Sequence, residues 1–272
     1  MLPDTDEMAL VQSAIESYID ALNAVGLSLR VRRNFHDYAA LRRRNGDAHL
    51  NQVFDPRCVE PGDRDFWLLV TDEWGDAVAT HCLRRFVVDD FYDLIRSQAL
   101  WFGTRPHLVD PRFVVACEIP PFGGEVAHGG GLWVRPDYRG SAKLSFILPR
   151  LARAIALRID PFDHDSAMIR NTPGDPPRLA DRKAGFMGRQ VYGFARVHRF
   201  VDGWFPPEGR NAIMHLCHAT RAEALASLVA LPESATSRLR RAEFRQRPFV
   251  DQDEQLINMP AVRGQGQQQP RI

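Results

Sequence analysis

The stretch best equipped for chemistry runs Val134-Arg135-Pro136-Asp137-Tyr138-Arg139-Gly140-Ser141-Ala142-Lys143-Leu144-Ser145. Its pattern predicts the end of a strand followed, within a few residues, by the start of a helix. Gly140, Ser141 and Ala142 are small, so successive backbone N–H groups can turn towards one point. The first helical turn leaves its own N–H groups unpaired, and the helix dipole favours negative charge there. Arg139 and Lys143 add positive charge at the same place. A pyrophosphate would meet donors and complementary charge together. The alternative is a plain connecting turn with no ligand.

Other reactive residue types are less suggestive. Asp160, Asp163, His164 and Asp165 have the chemistry of metal ligands but the compact spacing of a solvated turn before a strand. His215 and His218 flank Cys217, and residues three apart on a strand face opposite sides, which argues against a shared metal. No metal is expected. The four cysteines, Cys58, Cys82, Cys117 and Cys217, show no metal-ligand or redox spacing. They read as reduced, mostly buried thiols of a cytoplasmic protein. Arg42-Arg43-Arg44 reads as a solvated helix face, with an anion contact as the alternative.

The elements that must position these residues follow from periodicity. Val11, Ile15, Tyr18, Ile19 and Leu22 form one helical stripe, stopped near Gly26. A short strand is predicted from Ser28 to Val31 and a helix from Phe35 to Arg44. Phe66 to Val70 and Ala77 to Phe86 read as a hairpin around Asp72-Glu73-Trp74-Gly75-Asp76. Phe91, Leu94, Ile95, Trp101 and Phe102 fit a helix face, and Phe113 to Glu118 a third strand. Gly129-Gly130-Gly131 suits a bulge, a close backbone approach or a flexible entry loop before the strand Leu132 to Val134. Leu144, Ile147, Leu148, Leu151 and Ile155 share a helix face that Pro149 should kink. Ala167 to Arg170, Val191 to Phe200 and Ala212 to His218 read as strands, with helices over Arg178 to Ala184 and Ala222 to Leu231.

The pattern divides the chain into a helical segment, 1–60, packed on a domain of 61–240, and a polar, largely disordered tail, 241–272. Lys plus Arg number 35 against 34 Asp plus Glu, a balance that favours neither nucleic acid nor an anionic membrane as partner. No apolar run approaches the roughly 18 residues of a membrane span. The acidic N-terminus, Met1 to Glu7, lacks the basic start of a secretory signal.

Val134-Arg135-Pro136-Asp137-Tyr138-Arg139-Gly140 resembles the opening of the acyl-CoA motif of the GNAT superfamily, the acyl-CoA-dependent N-acyltransferases. There a strand ending in Val-x-Pro leads into Arg/Gln-x-x-Gly-x-Gly/Ala at a helix N-terminus. Arg139 matches the Arg/Gln, Ala142 takes the first Gly position, and Leu144 departs from the usual Gly or Ala. Ala180-Asp181-Arg182-Lys183-Ala184-Gly185-Phe186 is similar to the superfamily's late helix, which ends in Gly-Phe, and Asn171 precedes it as an Asn often does after the fifth strand. The resemblance spans roughly Phe66 to Cys217.

The resemblance implies an α/β fold: a mixed central sheet splayed at the fourth and fifth strands, flanked by helices, here with an extra N-terminal helical segment. It implies an acyl-CoA, most simply acetyl-CoA, lying across that splay as co-substrate, with a small-molecule or peptide amine as acceptor. Leu132, Trp133 and Val134 would pair with the pantetheine arm. Arg139, Gly140, Ser141, Ala142, Lys143 and Leu144 would surround the pyrophosphate, with Asn171 beside the cofactor. His128 or Glu125 would serve as base for the amine. The family's thiolate-protonating Tyr is replaced by Asp181, leaving Tyr192 as a substitute. A GNAT-like domain that kept binding and lost turnover is the alternative, favoured by Leu144 and by Asp181.

Overall fold

The computed structural model describes residues 5–228, apart from 47–49, 104, 116–119, 141–142 and 172–173. Seven strands form one sheet: β1 (Ser28–Arg32), β2 (Phe66–Thr71), β3 (Ala77–Val88), β4 (Gly124–Val134), β5 (His164–Arg170), β6 (Arg196–Phe205) and β7 (Arg210–Thr220). Their order is β1-β2-β3-β4-β5-β7-β6. All neighbours are antiparallel except β4 and β5. This is the mixed sheet with flanking helices that the resemblance implied. The β2–β3 turn forms as its composition predicts. Asp72 Oδ1 accepts from the N–H groups of Trp74 at 3.2 Å and Asp76 at 2.9 Å, and Gly75 takes a φ of +86°.

The parallel pairing is short. It runs from Val126 opposite His164 to Gly129 opposite Ala167. Both strands continue beyond it without pairing to each other, so the sheet opens there. A β-bulge explains the divergence. On β3 the register steps two residues, from Thr80 to Cys82, while β4 steps three, from Trp133 to Gly130. Gly131 takes a φ of +60°, which an L side chain adopts only with strain. The extra residue bends β4 away from β5. Of the readings open at Gly129-Gly130-Gly131, the bulge is the one observed.

Helices α1 (Thr5–Asn23), α5 (Leu144–Ile159) and α7 (Arg221–Ala226) cover one face of the sheet. The predicted α1 stripe is buried there, with Val11, Ile15, Tyr18 and Leu22 against Leu148, Leu151 and Ile155 of α5 in one apolar core. Each such aliphatic side chain contributes roughly 1.5–3 kcal/mol by leaving water. The other face carries α2 (Phe35–Arg44), a 3-10 turn (Gln52–Phe54), α3 (Phe91–Arg96) and α4 (Ala99–Phe102), packed through Phe35, Phe54, Trp67, Phe91, Trp101 and Phe205. α6 (Pro177–Gly185) covers the β5–β7 part through Ala184 against Ala167 and Cys217. β1 pairs with β2, so the first sixty residues supply an edge strand of the sheet as well as helices.

Four expectations change. β4 begins at Gly124, well before the predicted Leu132. Phe113 to Val115 form no strand, and the remainder of that segment lies outside the described residues. The late strand starts at Arg196 rather than Val191, because a π-helical turn (Phe186–Val191) and Gly193 at φ +77° occupy the intervening chain. α5 runs unbroken through Pro149, which can donate no bond to the Ser145 carbonyl. Among the described residues no helix is long and apolar enough to cross a membrane, and no cluster of three or more His, Cys, Asp or Glu could hold a metal. Cys117, Ser141, Ala142 and the tail fall outside the described residues.

Candidate functional site

The opening between β4 and β5 is a cavity of about 760 Å³. Gly129, Gly130, Gly131 and Leu132 of β4 line one wall, and Ala167, Met168, Ile169 and Arg170 of β5 the other. α2 and the 50–52 segment close it on one side of the sheet through Tyr38, Arg42, Leu50 and Gln52. The β6–β7 turn adds Phe205, Pro207, Glu208 and Arg210. From α5 come Pro149 and Arg153, and from the bend after the π turn Tyr192 and Phe194. A second cavity, about 390 Å³, lies at the N-terminal end of α5 and is lined by Val134, Tyr138, Arg139, Gly140, Lys143, Leu144 and Phe146. β4 and α5 contribute to the lining of both, and the adjacent residues Val191 and Tyr192 line one each.

The second cavity lies at the described part of the predicted anion loop. Gly140 at φ +80° and Lys143 at φ +46° turn the chain twice before α5 begins. Arg139 donates from Nε to the Val134 carbonyl at 2.9 Å, fixing the strand end against the loop. Leu144 is 1% exposed, and its side chain enters the α1–α5 core. The unusual bulk is therefore largely absorbed by the core. Asn171 ends β5. Its Nδ2 lies 3.3 Å from His215 Nδ1, and His215 Nε2 lies 2.8 Å from Asp181 Oδ1. Asp181 is thus engaged by His215 rather than turned to the cavity, and Asn171 is a structural link between β5, β7 and α6.

Strict alternation would put His128, Gly130, Leu132 and Val134 on one face of β4. The bulge breaks that phase. Leu132 and Val134 pack with the α1–α5 core. His128 faces the other side, its ring parallel to Phe54 at 6.1 Å and 5.5 Å from Phe91. It is 1% exposed yet lines the cavity, with Nδ1 2.8 Å from Ser166 Oγ. Burial, with Arg84 and His81 adding to it, lowers its pKa to about 3. The imidazole is therefore neutral at physiological pH.

Glu125 is not at the cavity. Its carboxylate pairs with Arg64 at 2.9 Å and Arg85 at 3.3 Å, at the closed end of the β4–β5 pair. Tyr192 lines the cavity on the α5 side. Burial, reinforced by Cys217, holds its phenol up at about 12, so the O–H stays protonated.

Four residues at the cavity were missed or misread in the sequence: Arg153 and His81 were not singled out, Arg42 is buried rather than part of a solvated helix face, and Asp165 is buried within β5 rather than in a solvated turn before it. Arg153 and Asp165 form a buried ion pair under it, and Arg153 Nη2 also donates to the Tyr192 carbonyl at 3.2 Å. Arg42 donates from Nη1 to the Gly131 carbonyl at 2.7 Å. A peptide's C=O and N–H point in opposite directions. Holding the Gly131 carbonyl towards α2 and Thr80 turns the Leu132 N–H the other way, towards β5. His81, on β3 opposite the bulge, is 4% exposed and also lines the cavity. Periodicity marks Arg153 and His81 only as core-facing positions, and charged runs such as those holding Arg42 and Asp165 read as solvated until their partners are known. His215 and His218 do face opposite sides, one to Asp181 and the other stacked on Phe122.

No protein-family model and no curated protein matches the sequence. Similar solved structures include a chimeric spermidine N-acetyltransferase from Vibrio cholerae, at 10% identity and a TM-score of 0.44, covering 74% of this chain and 99% of that chain. The dodecameric spermidine N-acetyltransferase of Vibrio cholerae in an intermediate state is similar at 10% identity and a TM-score of 0.43, over 73% of this chain and 95% of that chain. Mutant forms of the spermidine/spermine N-acetyltransferase of Vibrio cholerae give 12% and 0.43, over 74% and 97%. Likeness at these scores assigns neither activity nor acceptor to this chain.

Proposed function

We propose that this protein is an acyl-CoA-dependent N-acyltransferase, most simply moving acetyl from acetyl-CoA to an amine. The observation that carries this reading is the opening of the parallel β4–β5 pair into a cavity, with a second cavity at the N-terminal end of α5 lined by the same strand and helix. The diphosphate fits the first turn of α5, where helix N–H groups, Lys143 and Arg139 converge. From there a pantetheine arm has a route along the unpaired edge of β4 into the splay. The chain's residues fit the group in charge and in shape, since the β4 edge beyond Gly129 carries no partner strand on that side.

The chemistry asks for three things. The amine must lose a proton, the thioester oxygen must be stabilised as charge develops, and the thiolate must be protonated. His128, neutral and on the α2 face, accepts the amine proton directly or through water. The Leu132 N–H, aimed by the Arg42–Gly131 bond, meets the carbonyl oxygen. Tyr192, on the α5 face and protonated, gives its proton to the thiolate. Base and acid thus stand on opposite sides of the opened sheet, as transfer between two substrates entering from opposite sides requires.

The acceptor side is not built for a polycation. The acids lining the cavity, Asp165 and Glu208, are taken by Arg153 and by Arg170 and Arg210. A small molecule or peptide with one reactive amine suits this wall better than a polyamine. The second reading, a binding domain without turnover, draws on Asp181, which stands at the family's Tyr position and is held by His215. Calorimetry with acetyl-CoA, followed by thiol release over a panel of amines, separates the two. Turnover on any amine supports the enzyme; binding without turnover supports the binding domain; no binding of acetyl-CoA removes both.

A further inference from the structure

On the β3 strand, His81 stands where the register jumps, opposite the Gly131–Leu132 bulge. Its side chain leaves the sheet on the face that carries α5, and it lines the cavity together with Arg153 and Tyr192. To reach the opening from β3 the ring must pass β4, and Gly129 permits this. A Cβ at Gly129 would lie 3.2 Å from His81 Nε2 and 3.7 Å from its Cε1, tighter than side chains normally pack. The Nε2 edge therefore lies against the one β4 position without a side chain that is still paired to β5. The other nitrogen, Nδ1, is buried and has no hydrogen-bond partner among the described residues.

This arrangement selects a tautomer. A neutral imidazole carries one N–H and one bare nitrogen. Placing the proton on Nδ1 would bury an unpaired donor, which folded proteins rarely tolerate. Placing it on Nε2 leaves Nδ1 bare and turns the N–H to the cavity. The charged and titratable groups around the ring act in the same sense. Burial first, and then the Arg153 guanidinium of α5, lower the pKa of His81 to about 3, and Asp165 of β5 is committed to Arg153. His128 belongs to the opposite face. The ring is thus a neutral donor near the buried Arg153–Asp165 pair.

We infer that His81 is a further catalytic residue, whose Nε2–H donates to the thioester carbonyl oxygen beside the Leu132 N–H. The inference rests on the acyltransferase reading. The hydrogen bond moves no proton. As the amine nitrogen bonds to the carbonyl carbon, the C=O electron pair shifts to oxygen, and the donor strengthens with the charge. When the C–S bond breaks, the pair returns and the thiolate leaves with the Tyr192 proton. A neutral imidazole suits this task because it donates without delivering a proton to the oxyanion.

The test uses the full chain and acetyl-CoA labelled with a heavy isotope at the thioester carbonyl, observed by infrared difference spectroscopy. Wild-type protein should shift the bound carbonyl stretch to lower wavenumber than in free acetyl-CoA. His81→Leu should return most of that shift while acetyl-CoA affinity stays within about tenfold by calorimetry. His81→Gln, which keeps a donor, should retain part of it. An equal shift in wild type and His81→Leu overturns the assignment. Should His81→Leu not fold, nitrogen-labelled histidine in the wild type gives a second reading: an Nε2–H tautomer at His81 supports the assignment and an Nδ1–H tautomer overturns it. Failure of wild-type protein to bind acetyl-CoA overturns the acyltransferase reading itself, and is seen before any variant is compared.

Discussion

Arg42 and Gly131 form the contact on which the geometry of the opened sheet turns. The guanidinium Nη1 donates to the Gly131 carbonyl at 2.7 Å from a helix on the far side of β4. The same nitrogen lies 2.9 Å from Tyr38 Oη and 3.4 Å from Thr80 Oγ1. A charge-assisted bond to a carbonyl in a half-buried setting is stronger than a neutral one. It keeps the bulge in one conformation, and through the planar peptide it aims the Leu132 N–H into the cavity. Arg42→Met keeps the apolar stem and removes every donor. The expected result is a loss of about 1–3 kcal/mol in urea unfolding, with turnover falling further than acetyl-CoA affinity. Unchanged turnover in a folded Arg42→Met protein would show that the bulge needs no such tether.

The glycine itself gives a second prediction. Gly131 sits at φ +60°, and a Cβ there would lie 2.6 Å from Tyr38 Oη. Gly131→Ala combines a disfavoured backbone with a clash against a buried ring. A destabilisation of more than about 1–2 kcal/mol is expected, together with weaker acetyl-CoA binding as β4 straightens. A variant as stable as wild type, with equal affinity by calorimetry, would place the bulge outside the binding surface.

How much of this was legible in the residues depends on the kind of signal. The α1 stripe and the β2–β3 turn follow from local periodicity and turn chemistry, and both form; on either side of the Arg139 loop the strand end at Val134 and the helix start at Leu144 also stand where the residues put them. The phase of β4 was not legible. Three glycines mark a place where a bulge can form, but not which of them takes positive φ, so the residues alone leave open whether His128 and Leu132 share a face. The late strand was misplaced for a similar reason: Val191-Tyr192-Gly193-Phe194 alternates like a strand, while the structure spends Phe186–Val191 on a π turn that packs Gly188 against Cys217. Glu125 illustrates a third limit. A carboxylate on the right strand looks like a base until its partners are known, and here they are Arg64 and Arg85.

For the anion loop, Arg139→Glu should weaken CoA binding by more than about tenfold. Part of that effect now has a structural source, because Arg139 Nε also closes the end of β4 on the Val134 carbonyl. Arg139→Gln separates the two contributions. It removes charge and keeps a donor of shorter reach, so its loss should be smaller than that of the Glu variant. Measured against 3′-phospho-ADP, which lacks the pantetheine arm, the weakening by Arg139→Glu should persist. Equal affinity of wild type and Arg139→Glu for both ligands would detach the loop from nucleotide binding.

Buried histidines with lowered pKa make the fold sensitive to acid, His81 and His128 most of all, with His218, lowered to about 4, and His215 acting in the same direction. Both His81 and His128 have a folded pKa of about 3, well below the unfolded value. As pH falls below about 6.5 the unfolded chain takes up protons that the folded chain refuses. The stability associated with these groups is complete above that pH and is lost progressively as pH drops towards 3. Each contributes a slope approaching roughly 1.4 kcal/mol per pH unit in that window. Urea midpoints should therefore decline between pH 7 and pH 5, and His128→Asn should reduce the decline. Midpoints that stay constant over this range would mean that these rings are protonated, or solvated, in the folded protein.

The same ring decides the pH dependence of catalysis. A base with an ordinary histidine pKa would make the rate rise through neutrality as it lost its proton. His128 is buried between Phe54 and Phe91 with Nδ1 on Ser166, and its pKa of about 3 leaves it ready to accept a proton throughout the physiological range. The rate should then follow the ionisation of the acceptor amine, rising until that amine is neutral, with no separate inflection near 6.5. So weak a base contributes less driving force than one matched to the working pH, and its value lies in position. His128→Ala should lower kcat and kcat/KM together, on the order of 10²-fold, with acetyl-CoA affinity preserved because the ring faces α2 rather than α5. Ser166→Ala should act in the same direction more weakly, since it frees the ring without removing it. An inflection near 6.5 that disappears in His128→Ala would show the ring to be solvated during turnover. Full activity in His128→Ala would remove the base from this position, leaving proton loss to a water held by the β4 backbone.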